Sequence, residues 1–367
     1  MTSTARAPVR GGRLRLAVAG AVVLTALTTA PAAAMVPPVQ TSASQTSRPD
    51  PGTASTARSG DPTGPRTQFP GFVLDQGRHR TIEAPEPGVW QFPFDINDRG
   101  QISGEYVRVG SDGIPDSESG FLRDARGRTS VLDVPGAKGT EAVKLNNRGQ
   151  VAGTFSTDTP IVNDTASPHG YLWDRAKVTL IDVPGARGTA AGGVNDRGQV
   201  VGGYADATGA VHGFLWDRGR FTTIDAPGAV QTTATDINNR AQVVGQYLDT
   251  GGRVHGFRWE RGRLATIDAP GSPLTTTDGI NDRGQIVGAT FNDLDLTGAR
   301  GFLLANGVKG RFTPISFPGA PRTIASGIND RGQIVGLYEN PTFTPAPPPT
   351  ATPMGRAQPA TRHADAG

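Results

Sequence analysis

The stretch GVNDRGQVVGGY at residues 193–204 is one of six nearly identical copies in this 367-residue chain. The other copies are DINDRGQISGEY (95–106), KLNNRGQVAGTF (144–155), DINNRAQVVGQY (236–247), GINDRGQIVGAT (279–290) and GINDRGQIVGLY (327–338). Their shared asparagines lie 49, 49, 43, 43 and 48 residues apart. A nearly fixed period in this range predicts a repeat architecture, in which each unit buries its apolar face against its neighbours.

Two further signatures recur with the same period. One is a D-x-P-G-A turn or a looser variant of it, and the other is a Gly-aromatic pair. The pairs are Gly71-Phe72, Gly120-Phe121, Gly170-Tyr171, Gly213-Phe214, Gly256-Phe257 and Gly301-Phe302. Because every period carries all three signatures, six copies of one structural unit are predicted.

One period, residues 213–250, shows the strands of the unit. The runs GFLWD, FTTID, TTATDI and QVVGQYL are rich in β-branched and aromatic residues, which suit a pleated sheet. RGR, APGA and NNRA separate them as turns. The usual form of the last turn, N-[DN]-R-G, suits a type I turn closed by a glycine in the left-handed region. Ala241 replaces that glycine once.

Four strands in each period are typical of a β-propeller blade. Residues 67–340 are therefore predicted to form an all-β propeller of about six four-stranded blades, with no helical periodicity in this span. A parallel β-helix ranks lower, because its rungs are normally shorter. We expect the ring to close without a long strand exchange. In the alternative, the extended segment TQFPGFVL (67–74) pairs with the last blade.

The ends of the chain differ from the repeats. Residues 1–34 have a basic start, the apolar run LAVAGAVVLTALTTA and an Ala-Ala-Ala site, which predict a secretory signal peptide cleaved after Ala34. A membrane anchor is the alternative, but the apolar run is shorter than the roughly 20 residues that span a bilayer. Residues 35–66 are a Ser/Thr/Pro-rich linker and residues 341–367 a Pro-rich tail.

Charge and composition exclude several classes of protein. The whole chain carries a net charge of +3, but the predicted signal contains four arginines and no acidic residue, so the mature chain is close to neutral. It therefore lacks the basic character of a nucleic-acid-binding protein. The chain has no cysteine, and thus no disulfide, thiolate nucleophile or Cys-based metal site. We expect no cofactor and no stable membrane insertion after cleavage.

The repeats resemble a known family. The pattern G-[IV]-N-[DN]-x-G-[QV]-[IV]-V-G, followed by a His-Gly-aromatic tripeptide, is similar to the HAF-repeat family of extracellular bacterial proteins. His169-Gly170-Tyr171, His212-Gly213-Phe214 and His255-Gly256-Phe257 match the tripeptide, and the other three copies lack the histidine. The resemblance covers about residues 67–338. It implies a secreted or surface protein with a propeller fold, and it implies no reaction.

The repeated polar residues invite a metal site, but simpler roles are favoured. His169, His212 and His255 occupy equivalent positions, where a hydrogen bond at the start of a strand is the expected role. DINDRG at 95–100 superficially resembles a calcium loop, yet Arg99 stands where an oxygen ligand belongs and no glutamate follows at position twelve. The repeated asparagines are expected to bond the backbone of their own turns. No metal site is predicted.

The same turn carries an arginine in every repeat. A closed propeller would place these residues in a ring on one face, where they could bind carboxylate or phosphate groups of a polymer. An aspartate precedes four of them, so local neutralisation in a solvated turn is the alternative. The arginines are Arg99, Arg148, Arg197, Arg240, Arg283 and Arg331.

No catalytic motif is evident, such as G-x-S-x-G or H-E-x-x-H. Insertions at 109–119, 157–168 and 292–299 break the repeat and are a second place to look for a binding surface. The sequence thus predicts a binding or interaction module at the cell exterior, with an extracellular or cell-wall polysaccharide or another surface protein as partner. A polysaccharide hydrolase or lyase with its site at the channel, and a purely structural surface protein, are the alternatives.

Overall fold

The computed structural model describes residues 69–84, 89–109, 115–159, 161, 167–293, 297–305 and 307–340. Within these ranges the regular structure consists of 24 β-strands and no helix. The strands form six four-stranded antiparallel blades, so the predicted six-bladed propeller is confirmed. The predicted signal peptide, linker and tail lie outside the described residues. None of the described residues forms a helix long and apolar enough to cross a lipid bilayer.

Five blades are continuous in sequence. The blades and the strands are numbered in chain order, and the first two strands belong to the sixth blade. The first comprises β3 (Val89–Ile96), β4 (Ile102–Val109), β5 (Pro115–Arg123) and β6 (Thr129–Leu132). The second comprises β7 (Gly139–Leu145), β8 (Val151–Ser156), β9 (His169–Asp174) and β10 (Lys177–Leu180). The third comprises β11 (Gly188–Val194), β12 (Val200–Ala205), β13 (Val211–Asp217) and β14 (Arg220–Ile224).

The fourth and fifth blades follow the same plan. The fourth comprises β15 (Gln231–Ile237), β16 (Val243–Leu248), β17 (Val254–Glu260) and β18 (Arg263–Ile267). The fifth comprises β19 (Leu274–Ile280), β20 (Ile286–Phe291), β21 (Arg300–Ala305) and β22 (Arg311–Ile315). The sixth blade combines both ends of the described chain, in the order β23 (Thr323–Ile328), β24 (Ile334–Tyr338), β1 (Gly71–Asp75) and β2 (Arg78–Ile82).

The ring is closed by strand exchange. β1 pairs antiparallel with β24, from Gly71 opposite Leu337 to Leu74 opposite Ile334. The expectation of closure without strand exchange is therefore wrong. The alternative, in which the segment 67–74 pairs with the last blade, is correct, and β2 joins this blade as well. The reason is that each sequence repeat runs from the third strand of one blade to the second strand of the next. The chain ends thus contribute two strands each to the same sheet.

The first strand of every blade lines the central axis. β3, β7, β11, β15, β19 and β23 contact one another in a closed cycle. Each of these strands carries a bulge shortly before its asparagine turn, as between Ala234 and Asp236. The glycine of the repeated V-G pair makes the bulge fit: a Cβ on Gly245 would lie 2.1 Å from the Thr233 carbonyl oxygen and 2.7 Å from the Phe257 ring. The local sequence therefore fixes where the first strand bends.

The core is divided into small clusters between and within blades. The aromatic residue of each Gly-aromatic pair is buried, as Phe257 illustrates by packing with Val201, Ile224 and Ile237. The fourth strands are the most exposed, because they form the outer rim. Burial of apolar surface is thus repeated blade by blade, and the polar residues of the first strands are directed to the axis.

A candidate binding face at the mouth of the channel

The asparagine turn has the predicted geometry. The Asn195 Oδ1 atom accepts hydrogen bonds from the backbone N–H groups of Arg197 and Gln199, at 3.0 and 3.1 Å. Gly198 donates to the Asn195 carbonyl at 2.9 Å and has a φ of 75°. Ala241, the one exception to glycine, keeps the left-handed conformation with a φ of 56°. The expected bonds of asparagine to its own turn are therefore confirmed.

The asparagine side chains also join the blades. The Asn195 Nδ2 group donates to the carbonyl oxygen of Asn238 in the next blade at 3.1 Å. The other five asparagines repeat this bond around the ring. The last bond runs from Asn329 to the carbonyl of Asn97 at 3.0 Å and closes the cycle. Six buried amides thus form a continuous belt around one mouth of the channel.

The residues after the asparagines form a second closed cycle. The backbone N–H of Asp196 donates to the Asn239 Oδ1 atom at 2.8 Å, and every other member donates to its successor in the same way. We call these six residues the acidic ring. In order around the axis they are Asp98, Asn147, Asp196, Asn239, Asp282 and Asp330.

The acidic ring is not symmetric. The Asn239 amide separates two carboxylates, and its Nδ2 group donates to Asp196 and Asp282 at 2.9 and 2.8 Å. Asp330, in contrast, lies between Asp282 and Asp98 with no amide beside it. Partial burial, followed by repulsion from these two carboxylates, raises the pKa of Asp330. Three adjacent carboxyl groups therefore mark one side of the mouth.

A depression of about 60 Å³ lies inside the two rings. Asp95 and Asp236, from the first strands of the first and fourth blades, are among the residues that line it. Their carboxylates accept backbone N–H bonds across blade boundaries, from Leu145 at 3.2 Å and Ile280 at 2.9 Å respectively. The depression has room for a few water molecules or a small polar group.

A buried lysine stands among these carboxylates. The Lys144 Nζ group donates to the carbonyl of Ser326 at 2.6 Å and lies 3.8 Å from the Asp95 carboxylate. Burial raises the pKa of Asp95 to about 7, although Lys144 opposes the shift. Burial likewise raises the pKa of Asp278 to about 7 and that of Asp236 in the same direction. Burial is thus the main cause of the raised pKa at all three carboxyl groups.

The structure brings the six predicted arginines to the same mouth. Each follows a member of the acidic ring directly, and each side chain is exposed. Within the described ranges none of them forms an ion pair. The neighbouring aspartates instead accept backbone N–H bonds from the preceding blade. The arginine ring consists of Arg99, Arg148, Arg197, Arg240, Arg283 and Arg331.

The three repeated histidines are tied to the D-x-P-G turns. The Nδ1 atoms of His169, His212 and His255 lie 2.9, 2.9 and 2.8 Å from the carboxylates of the aspartates that open those turns. The histidines thus link the start of a third strand to the turn after the fourth strand. In the part of the chain that the structure describes, they join no cluster of three potential metal ligands.

The sequence alone did not point to the channel residues. Two positions before the shared asparagine, the six copies carry Asp, Lys, Gly, Asp, Gly and Gly. A comparison of the copies at this position would have shown that Asp95, Lys144 and Asp236 break the repeat. That comparison was the available signal. Positions that maintain the repeated fold carry the same residue in each copy, whereas these three residues differ from the other copies.

No family model and no curated protein matches the sequence. Solved structures do match the fold. TolB from Acinetobacter baumannii aligns with 74% of this chain and 63% of its own, at 15% identity and a TM-score of 0.48. A putative TolB from Agrobacterium tumefaciens aligns with 75% of this chain and 99% of its own, at 9% identity and a TM-score of 0.52.

A third match is the β-propeller domain of the Trilobed protease from Pyrococcus furiosus, at 12% identity and a TM-score of 0.41, covering 68% of this chain and 88% of that domain. This chain spans less than two thirds of the length of the Acinetobacter protein. At these identities the similarity concerns the fold and shows nothing about the ligand.

Proposed function

We propose that this protein is a non-catalytic binding module at the cell exterior, and that it binds a polyanionic polymer at the arginine ring. One observation carries the proposal: six exposed arginines encircle one mouth while the adjacent aspartates accept hydrogen bonds from the preceding blade. The guanidinium groups therefore remain available to carboxylate or phosphate oxygens, which they bind in a forked geometry. An acidic cell-wall or extracellular polysaccharide is the partner that fits this chemistry.

The spacing of the arginines favours an extended ligand. Because each arginine belongs to a separate blade, a small anion would contact only a few of them, whereas a polymer can contact several at once. Multiple weak contacts on one chain raise the overall affinity without a deep pocket. The shallow depression inside the ring agrees with binding on the face of the propeller and not within it.

Binding of teichoic acid or polygalacturonate to the mature protein tests the proposal. We expect affinity to fall steeply between about 0.05 and 0.5 M salt, as it does for screened exposed charges, since the Debye length is about 10 Å at 0.1 M and shorter above. The variant Arg197→Ala/Arg240→Ala/Arg283→Ala should bind at least about tenfold more weakly, equivalent to about 1.4 kcal/mol.

A matched variant controls for net charge. The control residues Lys138, Arg187 and Arg253 are exposed at the opposite end of the propeller. Lys138 and Arg187 directly precede first strands, whose other ends carry the asparagine turns, and Arg253 precedes the third strand of its blade. Replacing all three with alanine removes the same charge from the other face and should leave affinity within about twofold. Equal losses in both triple variants would contradict the arginine-ring proposal.

The adjacent carboxyl groups at the mouth favour a second candidate function, which is enzymatic. Asp282, Asp330 and Asp98 form the kind of asymmetric acidic group that a polysaccharide hydrolase or lyase would use, and Asp330 has a raised pKa. Product analysis should therefore accompany the binding assay. Release of shortened or unsaturated oligosaccharides by the wild type, and their loss in Asp330→Asn, would establish the enzyme in place of the binding module.

The exterior location is proposed from residues 1–34. We expect expression in a bacterial host with a general secretion system to yield a protein in the medium that begins near Met35. N-terminal sequencing of that protein gives the cleavage site. Retention of Met1 in a membrane fraction would support the anchor alternative instead.

A further inference from the structure

Three glutamates that break the repeat meet in the interior between the first and second blades. Glu105 on β4, Glu118 on β5 and Glu141 on β7 are 0, 4 and 2% exposed. One carboxylate oxygen from each lies within 4.8 Å of the other two. The two blades are in direct contact here, since Glu118 pairs in parallel with Gly139 at the start of β7. Both blades therefore contribute carboxylate oxygens to the same small space.

At another boundary in the ring the corresponding place is apolar. Between the fifth and sixth blades, the positions of the three glutamates are occupied by Ala289, Ala299 and Ile324. All three belong to one hydrophobic cluster. The propeller thus packs well at this boundary without charge. Burying three carboxylates in its place is unfavourable unless positive charge compensates them.

The Glu105 oxygens and one Glu141 oxygen lack donors among the described residues. Neither Glu105 oxygen accepts a hydrogen bond from an N–H or hydroxyl group of the described residues, and the same holds for the Glu141 Oε1 atom. Thr154 lies directly opposite Glu141 on the same face of the sheet. Its side chain is 1% exposed, and its hydroxyl has no partner within the described ranges. The hydroxyl is a further buried oxygen without a partner, on the strand that pairs with Glu141.

The surrounding chain holds the group in place. The backbone N–H of Ile161 donates to the Glu118 Oε2 atom at 2.6 Å, and Ile161 itself is buried. Ile161 belongs to the insertion at 157–168, and Glu118 belongs to the insertion at 109–119. Both departures from the repeat in this region therefore converge on the three carboxylates.

We propose that Glu105, Glu118 and Glu141 bind a divalent cation, with calcium preferred and the Thr154 hydroxyl as an additional ligand. A donor set of oxygens alone selects hard cations over zinc or copper. Calcium binds oxygens at about 2.3–2.6 Å, so ligands on opposite sides of the ion are about 5 Å apart, in agreement with the observed spread. Magnesium retains several water molecules, which a buried cage of protein ligands does not favour.

The bound ion would join the first two blades. It would neutralise carboxylates from both blades at their boundary, so the folded protein should depend on calcium for part of its stability. This effect requires no polymer at the arginine ring, and its test is independent of the proposed function.

Calcium content and thermal stability test the proposal. The mature protein, dialysed against CaCl2, should contain about one calcium ion per chain by mass spectrometry of the metal. Its melting temperature should be at least about 5 °C higher in 1 mM CaCl2 than in EDTA, as expected for a ligand well above its dissociation constant. Asp206→Asn and Asp249→Asn, which alter exposed turns on other blades, should retain both properties.

Two variants remove the site in different ways. Glu105→Ala/Glu118→Ala/Glu141→Ile copies the apolar boundary, and it should bind no calcium and melt in EDTA at or above the wild-type temperature. Glu141→Gln keeps the side-chain volume and should weaken calcium binding at least about tenfold. Wild-type protein without bound calcium and without a calcium-dependent melting temperature would overturn the proposal. Calcium binding retained in the triple variant, or a response to magnesium or manganese alone, would also overturn it.

Discussion

Replacement of Asn195 tests the belt of amides that joins the blades. The side chain is 3% exposed and makes four hydrogen bonds. Asn195→Ala leaves the N–H groups of Arg197 and Gln199 without their acceptor, and it removes one of the two donors to the Asn238 carbonyl, which keeps the Ala241 N–H. At about 1 kcal/mol for each of these three lost hydrogen bonds, the loss of unfolding free energy should be about 3 kcal/mol.

The isosteric change Asn195→Asp separates the two halves of this network. The carboxylate still accepts the two N–H bonds within the turn, but it faces the Asn238 carbonyl at a distance where the amide donated. We expect a loss of about 2–4 kcal/mol at pH 7. When protonated, the introduced carboxyl group donates to that carbonyl again, so its pKa in the folded state is raised. Its stabilising effect is therefore present at low pH and is lost as the pH rises through that pKa.

Melting temperatures at pH 7 and pH 4.5, each compared with wild type at the same pH, measure both effects. A loss of 3 kcal/mol corresponds to a decrease of roughly 6–12 °C for a chain of this size. The alanine variant should show a similar decrease at both pH values, and the aspartate variant a smaller one at pH 4.5. Arg197→Ala, in the same turn but exposed, should change stability by about 0.5 kcal/mol at most. If both Asn195 variants melt within 2 °C of wild type, roughly 1 kcal/mol or less, the belt does not hold the blades together.

Further expected outcomes concern the turns and the channel. Gly198→Val should destabilise the protein by roughly 1–3 kcal/mol in thermal melts. The cause is the positive φ of Gly198, because the space around this residue is open. An unchanged melting temperature would refute the turn assignment. Ala241→Gly should be neutral or stabilising by about 1 kcal/mol. Asp330→Asn should stabilise by about 1 kcal/mol at pH 7, because an amide there can donate to both neighbours as Asn239 does; a lower melting temperature would contradict this. Asp278 has its pKa raised to about 7 by burial, so its contribution to stability is present at low pH and is lost as the pH rises from about 4 to 7. Urea denaturation at pH 5 and 8 should therefore show Asp278→Asn gaining on wild type at the higher pH, by roughly 3 kcal/mol, since about two pH units of the titration lie in this interval. Equal differences at both pH values would rule out this titration.

The candidate site was partly visible in the sequence. The arginine ring and the asparagine turns were predicted because every repeat carries them at one position. The acidic ring, the channel carboxylates and the three buried glutamates were not predicted. The channel carboxylates and the glutamates occupy positions where most repeats carry other residues. The contacts that define all three groups join different blades. Pairing of Glu118 with Gly139, for example, depends on how the first two blades pack.

The strands, the turns and the number of blades follow from the sequence alone. They depend on local patterns, such as alternating β-branched residues and a left-handed glycine, that recur in each period. Which strands share a blade and which polar groups meet depends on contacts between distant parts of the chain. The two strands before Val89 join the last blade because antiparallel pairing with β24 satisfies backbone groups that would otherwise form an open edge. The belt of asparagines, the channel lysine and the glutamate cluster exist because closing the ring brings residues from different repeats within hydrogen-bonding distance.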